Sequence, residues 1–267
     1  MTSESSGGDN GPVLVVARDN NGVATLTLNR PKYYNALSTA MMTEMEAALA
    51  DIRQDDGVRV VIIEGAGRGF CAGHDLQELR SGGKEFLDQV FQQCSRLMKS
   101  ITRLPQPVIA KVHGIATAAG CQLVATCDLA VAAKSARFGT PGVNIGLFCS
   151  TPMVAISRNM PRKRAMEMLL LGETFDAEAA AQHGLINFTV PDGELDQACQ
   201  DLAHRIVEKS GLTLSVGKEA FYRQIDFSLD EAYSYASEVM TRNMMARDAR
   251  EGIDAFLEKR DPIWEHR

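Results

Sequence analysis

The hydrophobic pattern begins with two β-branched runs, Val13-Leu-Val-Val-Ala-Arg18 and Val23-Ala-Thr-Leu-Thr-Leu28, separated by Asp19-Asn-Asn-Gly22. Two such runs around an Asn- and Gly-rich turn predict a β-hairpin. Pro31 ends the second strand. Ser38 is placed to cap a helix reaching about Arg53, in which Met41, Met45, Ala48 and Ile52 recur every three or four positions. Val58-Arg-Val-Val-Ile-Ile63 is short and β-branched and predicts a buried strand. The polar segment from Leu79 to Lys84, with its Ser81-Gly-Gly83, predicts a loop, followed by a helix from about Glu85 to Thr102 that stops before Pro105 and Pro107. Pro107-Val-Ile-Ala-Lys-Val112 and Leu129-Ala-Val-Ala-Ala133 read as further strands, with a helix through Leu123 to Thr126 between them. This alternation of strand, loop and helix predicts α/β layers.

From Thr151 the pattern turns helical. Helices are expected near residues 153–159, opening at Pro161, between Asp176 and a stop at Gly184, and from about Glu194 to Lys209 with Gly211 beyond the end. Ser228-Leu-Asp-Glu231 is a capping-box pattern ahead of residues 232–246. There Ala232, Tyr235, Ala236, Val239, Met240 and Met244 form one apolar stripe, which has to be buried on the chain's own core or against another subunit.

Two glycine-rich turns interrupt the pattern, Gly67-Arg-Gly-Phe-Cys-Ala-Gly-His-Asp-Leu76 and Lys111-Val-His-Gly-Ile-Ala-Thr-Ala-Ala-Gly-Cys-Gln122. Each follows an apolar run and opens a helix. The first N–H groups of a helix lack partners and sit at the positive end of its dipole, so a facing pair of such turns predicts an oxyanion hole.

Composition narrows the class. At 267 residues, 45% hydrophobic and 23% charged, the chain has room for one large domain, or one with an appendage. Its net charge of −6 and scattered basic residues argue against a nucleic-acid face. The six cysteines form no CxxC pair, which argues against a disulfide framework or a zinc site. Gly65-Ala-Gly67 lacks the rest of a dinucleotide fingerprint. Residues 1–12 read as a disordered tail with the features of neither a signal nor a transit peptide, and no run approaches the roughly 18 apolar residues of a membrane span. The expected location is cytoplasmic.

The glycine turns, together with Leu28-Asn-Arg-Pro-Lys32, Asn35-Ala-Leu37 and Glu251-Gly-Ile-Asp-Ala-Phe-Leu-Glu-Lys-Arg260, resemble the enoyl-CoA hydratase/isomerase (crotonase) superfamily along almost the full chain. Gly146-Leu-Phe-Cys-Ser-Thr-Pro152 and Pro161-Arg-Lys-Arg-Ala-Met-Glu-Met-Leu169 resemble one branch of it in particular. The resemblance implies a crotonase-type α/β spiral of ββα turns over 13–205. Residues 206–267 then form a C-terminal helical region for trimerisation, as a homotrimer or a dimer of trimers. It implies no permanently bound cofactor and a coenzyme A thioester as substrate or ligand.

Residue by residue, the same resemblance puts the oxyanion donors on the backbone of His74 and Ala119. It puts the two glutamates of a hydratase at Gln122 and Gly142, and neither is a glutamate. Adding water across a double bond needs a base and an acid, so weak or no hydration of crotonyl-CoA is expected. Lys32, Tyr33, Tyr34, Ala72, Asp75 and Leu76 would border the pantetheine and adenine, while Phe256 and Lys259 would approach the nucleotide of a neighbouring subunit. Three side chains are candidates for replacement chemistry. Cys149 is a nucleophile or a small core residue, His74 a base or a backbone donor only, and Asp75 an acid or a helix cap. The alternatives are a non-catalytic acyl-CoA-binding oligomer, or an isomerase or thioesterase using one of these three. His113 is expected to make a structural hydrogen bond, and Asn144 a polar contact in the acyl pocket or a turn.

Overall fold

The computed structural model describes residues 11–266, so the predicted tail lies outside the described residues apart from Gly11 and Pro12. Strands β1 (Leu14–Arg18) and β2 (Val23–Leu28) form the expected antiparallel hairpin. The Asp19 carboxylate closes its turn by accepting from the N–H groups of Asn21 and Val23. From β2 onward every pairing in this sheet is parallel: β2 with β3 (Val60–Gly65), β3 with β4 (Val108–Val112), β4 with β6 (Leu129–Ala133), and β6 with β9 (Phe188–Val190). The result is a six-stranded sheet.

Side chains alternate across this sheet into two apolar layers. Val61 and Ile63 of β3, with Val108, Ala110 and Val112 of β4, enter the larger core beside α1 (Thr39–Arg53), α3 (Lys84–Thr102) and α4 (Ala119–Thr126). Val60, Ile62 and Ile109 face α8 (Leu195–Val207) through Leu195, Cys199 and Ala203. Apolar burial on both faces is what makes these strands continuous β-branched runs.

A second sheet of three strands joins β5 (Ile115–Thr117), β7 (Arg137–Gly139) and β8 (Thr174–Asp176). Each is only three residues long, too short to carry a readable period. The segment expected as a loop at 79–84 is instead largely α2 (Leu76–Ser81), capped by Asp75, and only Gly82 and Gly83 interrupt it before α3.

Helices α5 (Ser150–Asn159), α6 (Arg162–Leu171) and α7 (Ala177–Gln182) complete the core region. The C-terminal region is α9 (Gly211–Gln224), α10 (Leu229–Met244) and α11 (Arg247–Glu258). Of the stripe on α10 only Val239 is buried, and Met240 remains 60% exposed. The chain's own core therefore does not cover that stripe.

What ties this region to the core is polar. Lys218 of α9 reaches down to the Asp128 carboxylate at 2.6 Å and to the carbonyls of Ile101 and Gln106, with its side chain 7% exposed. Asp128 also accepts from Tyr222 Oη and from Val108 N–H at the start of β4. All three ammonium hydrogens thus have acceptors, which offsets the cost of burying the charge. Lys218→Ala is expected to destabilise the protein by about 3–5 kcal/mol, because it strands a buried carboxylate. The double variant Lys218→Met with Asp128→Asn should lose less than Lys218→Ala alone in denaturant titrations at one protein concentration.

Candidate active site

The site is assembled where the two glycine turns meet. Asn35, fully buried with φ +54°, pins the first turn from below. Its amide donates to the carbonyls of Ala66, Gly69 and Phe70, and its Oδ1 accepts from Arg30 N–H. Leu37 N–H donates to Gly73 O and Asp75 N–H to Leu37 O, a parallel bridge that flanks His74. Gly73 has φ +105°, and a Cβ there would lie 2.9 Å from the Cβ of Ala118. The two turns are therefore in direct contact, and only glycine fits.

The second turn carries the strain. Ala118 holds φ +50°, ψ −118° at the start of α4, an L-residue conformation that costs on the order of 1–3 kcal/mol. Gly120 follows it, and a Cβ there would stand 2.0 Å from the Cys71 carbonyl oxygen. Thr117 N–H donates to that same oxygen, and Ala118 N–H to Gly139 O. Two backbone donors are left over. Neither His74 N–H nor Ala119 N–H has a hydrogen-bond partner among the described residues. Ala119, at the first position of α4, is fully buried.

The surrounding side chains carry little charge. His74 stacks edge-on against Phe91 of α3, with ring centroids 5.5 Å apart. Its Nε2 is buried without a hydrogen-bond partner among the described residues, and burial lowers the ring's pKa to about 4, so it is neutral at pH 7. Gln122 is buried on α4, its Oε1 facing the Cys94 thiol of α3 at 3.9 Å. Cys149 is a buried thiol at the start of α5, and burial raises its pKa against a weaker lowering by the Gly142 backbone. A thiol held that way is a poor source of thiolate. Gly142 lies beside it, and a Cβ at Gly142 would sit 2.4 Å from Leu147 O and 2.9 Å from Cys149 Sγ.

Asp75 is a cap and not a free acid. Its side chain accepts from Gln77 N–H at the start of α2 and pairs with Arg30 at 2.9 Å. Burial raises its pKa, but the Arg30 and backbone hydrogen bonds together outweigh that and hold it below the usual carboxylate range. The carboxylate stays ionised, which rules it out as a proton donor near neutral pH.

The residues expected at the coenzyme divide into two groups. Lys32, Tyr33 and Leu76 are exposed around the mouth of the first turn, with Tyr34 and Ala72 half-buried beside them. Ala72 N–H donates to Tyr34 O. Arg30 lies over the Tyr33 ring at 4.8 Å and Arg68 over the Tyr34 ring at 5.3 Å. Phe256 and Lys259 belong to a different place. Phe256 lies on α11 and Lys259 caps its C-terminal end; α11 packs on α9 and α10, and Phe256 is 81% exposed there.

Sequence reasoning passed over Arg30, Asn35, Phe91 and Cys94 as functional positions. Asn35 was visible as part of its motif, but Phe91 and Cys94 look like ordinary members of an amphipathic helix. His113 does make a structural contact, with Nε2 2.9 Å from Gly67 O. The Asn144 side-chain amide donates to Gly172 O at the C-terminal end of α6. A cavity of about 540 Å³ opens beside Gly67, Arg68, Lys111 and Asp196, but neither free N–H group lines it. Its Lys111 is already held by Glu64 and Asp196. Among the described residues, no three His, Cys, Asp or Glu side chains converge as a metal site.

The family described as enoyl-CoA hydratase/isomerase matches residues 18–267. The chain is 45% identical to human enoyl-CoA hydratase domain-containing protein 3, mitochondrial, over 94% of this chain and 83% of that protein. A crystal structure of the human protein superposes with a TM-score of 0.92 at 44% identity, covering 94% of this chain and all of that one. A crystal structure of enoyl-CoA hydratase from Mycobacterium smegmatis gives 0.94 at 50% identity, covering 95% and 99%. The cytoplasmic expectation is overturned, because relatives 43–46% identical to this chain are named as mitochondrial. The expectation rested on the absence of address features in residues 1–12 and of an apolar span, and an absence of that kind does not fix a compartment. With its glycine turns, its spiral sheet and these matches, the chain belongs to the enoyl-CoA hydratase/isomerase family.

Proposed function

We propose that the chain binds an acyl- or enoyl-CoA thioester and receives its carbonyl oxygen between His74 N–H and Ala119 N–H. The observation that carries this reading is the pair of unpartnered backbone donors on two turns pressed together through glycine. Such donors are fixed before the substrate arrives, and one of them is typically worth about 2.7–4 kcal/mol in stabilising a developing oxyanion. Lys32, Tyr33, Tyr34, Ala72, Asp75 and Leu76 would border the coenzyme, with Asp75 contributing its helix cap and its pairing to Arg30 and not a proton.

Two-carboxylate hydration is not the proposed reaction. Gln122 has no titratable proton at neutral pH, and Gly142 offers no side chain at all. Losing both an acid and a base removes contributions of about 10²–10⁴-fold each. The reading is therefore an enzyme that exploits carbonyl polarisation in a lyase- or isomerase-type fold without the hydratase pair. The second reading, a non-catalytic acyl-CoA-binding oligomer, is favoured by the Cys149 thiol and by the Arg30-bound Asp75, neither of which is poised to move a proton.

The oligomer is part of the proposal. Met240, Met244, Phe256 and Leu257 leave an exposed apolar face on α10 and α11, which fits a homotrimer or a dimer of trimers. In such an assembly Phe256 and Lys259 are available to a neighbour's nucleotide.

Calorimetry with butyryl-CoA is expected to show saturable binding, while crotonyl-CoA hydration, followed by loss of enoyl absorbance, should run at least about 10⁴-fold below a two-glutamate hydratase. Absence of binding sinks the acyl-CoA reading; hydratase-like turnover sinks the account of Gln122 and Gly142. Gly142→Ala should lower stability by about 1–3 kcal/mol in thermal or denaturant melts, since its Cβ meets a backbone oxygen. Light scattering should give three or six chains per particle, and Phe256→Asp with Met240→Asp should shift the population to monomer.

A further inference from the structure

The last described residues fold back over α11. Ile263 N–H donates to Glu251 Oε1, and the N–H groups of Glu265 and His266 donate to the two carboxylate oxygens of Asp248. Asp248 is buried in the first turn of α11 and also accepts from Ser210 Oγ, the N-cap of α9. Trp264, the one tryptophan of the chain, donates from its indole to Glu208 O at the end of α8, and a Cβ at Gly252 would come within 3.1 Å of its ring. Arg247 pairs with Glu265. Residues 261–266 thus form a strap that ties α11 to the junction of α8 and α9.

His266 is the strap residue whose side chain changes charge near neutral pH. Burial raises the pKa of Asp248, but the hydrogen bonds from Ser210, Glu265 and His266 outweigh that and hold it below the usual carboxylate range, and Arg260 holds Glu251 at about 2. The charged groups at the His266 ring are Arg59, from the segment leading into β3, and Asp248 from α11, while α9 presents the uncharged Gly211 N–H. Nε2 faces Arg59 Nη1 at 2.6 Å and Nδ1 faces Gly211 N at 3.2 Å, so both ring nitrogens meet donors. A neutral ring accepts at one of them, whereas an imidazolium accepts at neither and adds positive charge beside a guanidinium. Asp248 Oδ2, 4.0 Å from Nδ1, favours the charged ring, but burial and then Arg59 outweigh it and lower the pKa.

We propose that residues 261–266 are a pH-sensitive latch, in which protonation of His266 between Arg59 and Gly211 weakens the strap's hold on α11 and on the α8–α9 junction. The docked ring binds a proton more weakly than a free one. Docking is therefore at full strength above the ordinary histidine pKa of about 6.5 and is lost progressively as pH falls below it. The helix held by the latch carries the exposed Phe256 and Leu257, so acid loosens an apolar face of the C-terminal region. The latch does not depend on what the glycine turns bind.

Hydrogen exchange of the full-length protein, read by mass spectrometry on the C-terminal peptide, measures the hold directly, because the amides of Ile263, Glu265 and His266 all donate to carboxylates. Corrected for intrinsic exchange rates, protection of that peptide should fall about threefold or more from about pH 7 to about pH 5. In His266→Asn, which removes the titrating ring, protection should stay within about twofold over the same range. Arg59→Gln, which removes the facing guanidinium, should show a smaller fall than the wild type. Protection that does not change with pH in the wild type overturns the inference, as does an equal fall in His266→Asn. An undiminished fall in Arg59→Gln overturns the part assigned to the Arg59 contact.

Discussion

Among the glycines of the described residues, the tightest approach of one backbone to another is at Gly120 and Cys71. A Cβ on Gly120 would lie 2.0 Å from the Cys71 carbonyl oxygen, so the second turn fits against the first only without a side chain. The contact sets the orientation of α4 and leaves the N–H of Ala119 facing into the site. It also explains why Ala118 tolerates φ +50°: the Gly139 carbonyl and the packed first turn fix its position from both sides. On the other side, Asn35 collects three carbonyls of the first turn with one buried amide. Parallel strands β3 and β4 end together beneath both turns, so the sheet's register delivers the two N–H groups to one place.

Charge is distributed around this arrangement in a consistent way. The ionised pairs stand at its borders, with Arg30 against Asp75 at the mouth and Lys218 against Asp128 where α9 meets the sheet. The interior holds a neutral imidazole, an amide and thiols, whose burial keeps them uncharged. In such a setting fixed backbone dipoles act with little competition from water or from mobile charges. A group that polarises a carbonyl needs that quiet environment. A group that shuttles protons at pH 7 needs a pKa near 7, and the interior as built supplies none.

Much of this was legible in the chain. The hairpin, the Ser38-capped helix and the core strands follow from runs long enough to show a period, and the glycine turns follow from composition and motif. The second sheet was not, because three-residue strands at Ile115, Arg137 and Thr174 carry no periodic signal and are fixed by tertiary pairing. Helix α2 was hidden by polar residues beside a double glycine, although Asp75 is a sound cap. Within the site, the meeting of the two glycine turns was legible in the sequence, whereas the state of each side chain was not. That Asp75 is paired with Arg30, 45 positions away in sequence, and that His74 is stacked on Phe91 are long-range facts. Local sequence cannot specify them.

The two positions at which we propose a hydratase's glutamates would stand differ in depth. Gln122 keeps the shape of a glutamate side chain and has a soft partner in the Cys94 thiol. Gly142 is another matter, because Leu147 O and Cys149 Sγ occupy the volume where a side chain would begin. The loop that leads into α5 is built around the absence of a side chain at that position. Restoring the carboxylate therefore requires a different path for residues 142–149, and a point substitution does not provide one. On the proposed reading, a chain that keeps two glycine-supported donors while its backbone occupies the space beside Gly142 is organised around holding a carbonyl. On that reading, whatever acts on the rest of the acyl group has to come from the uncharged side chains that border the turns, among them His74, Gln122 and Cys149.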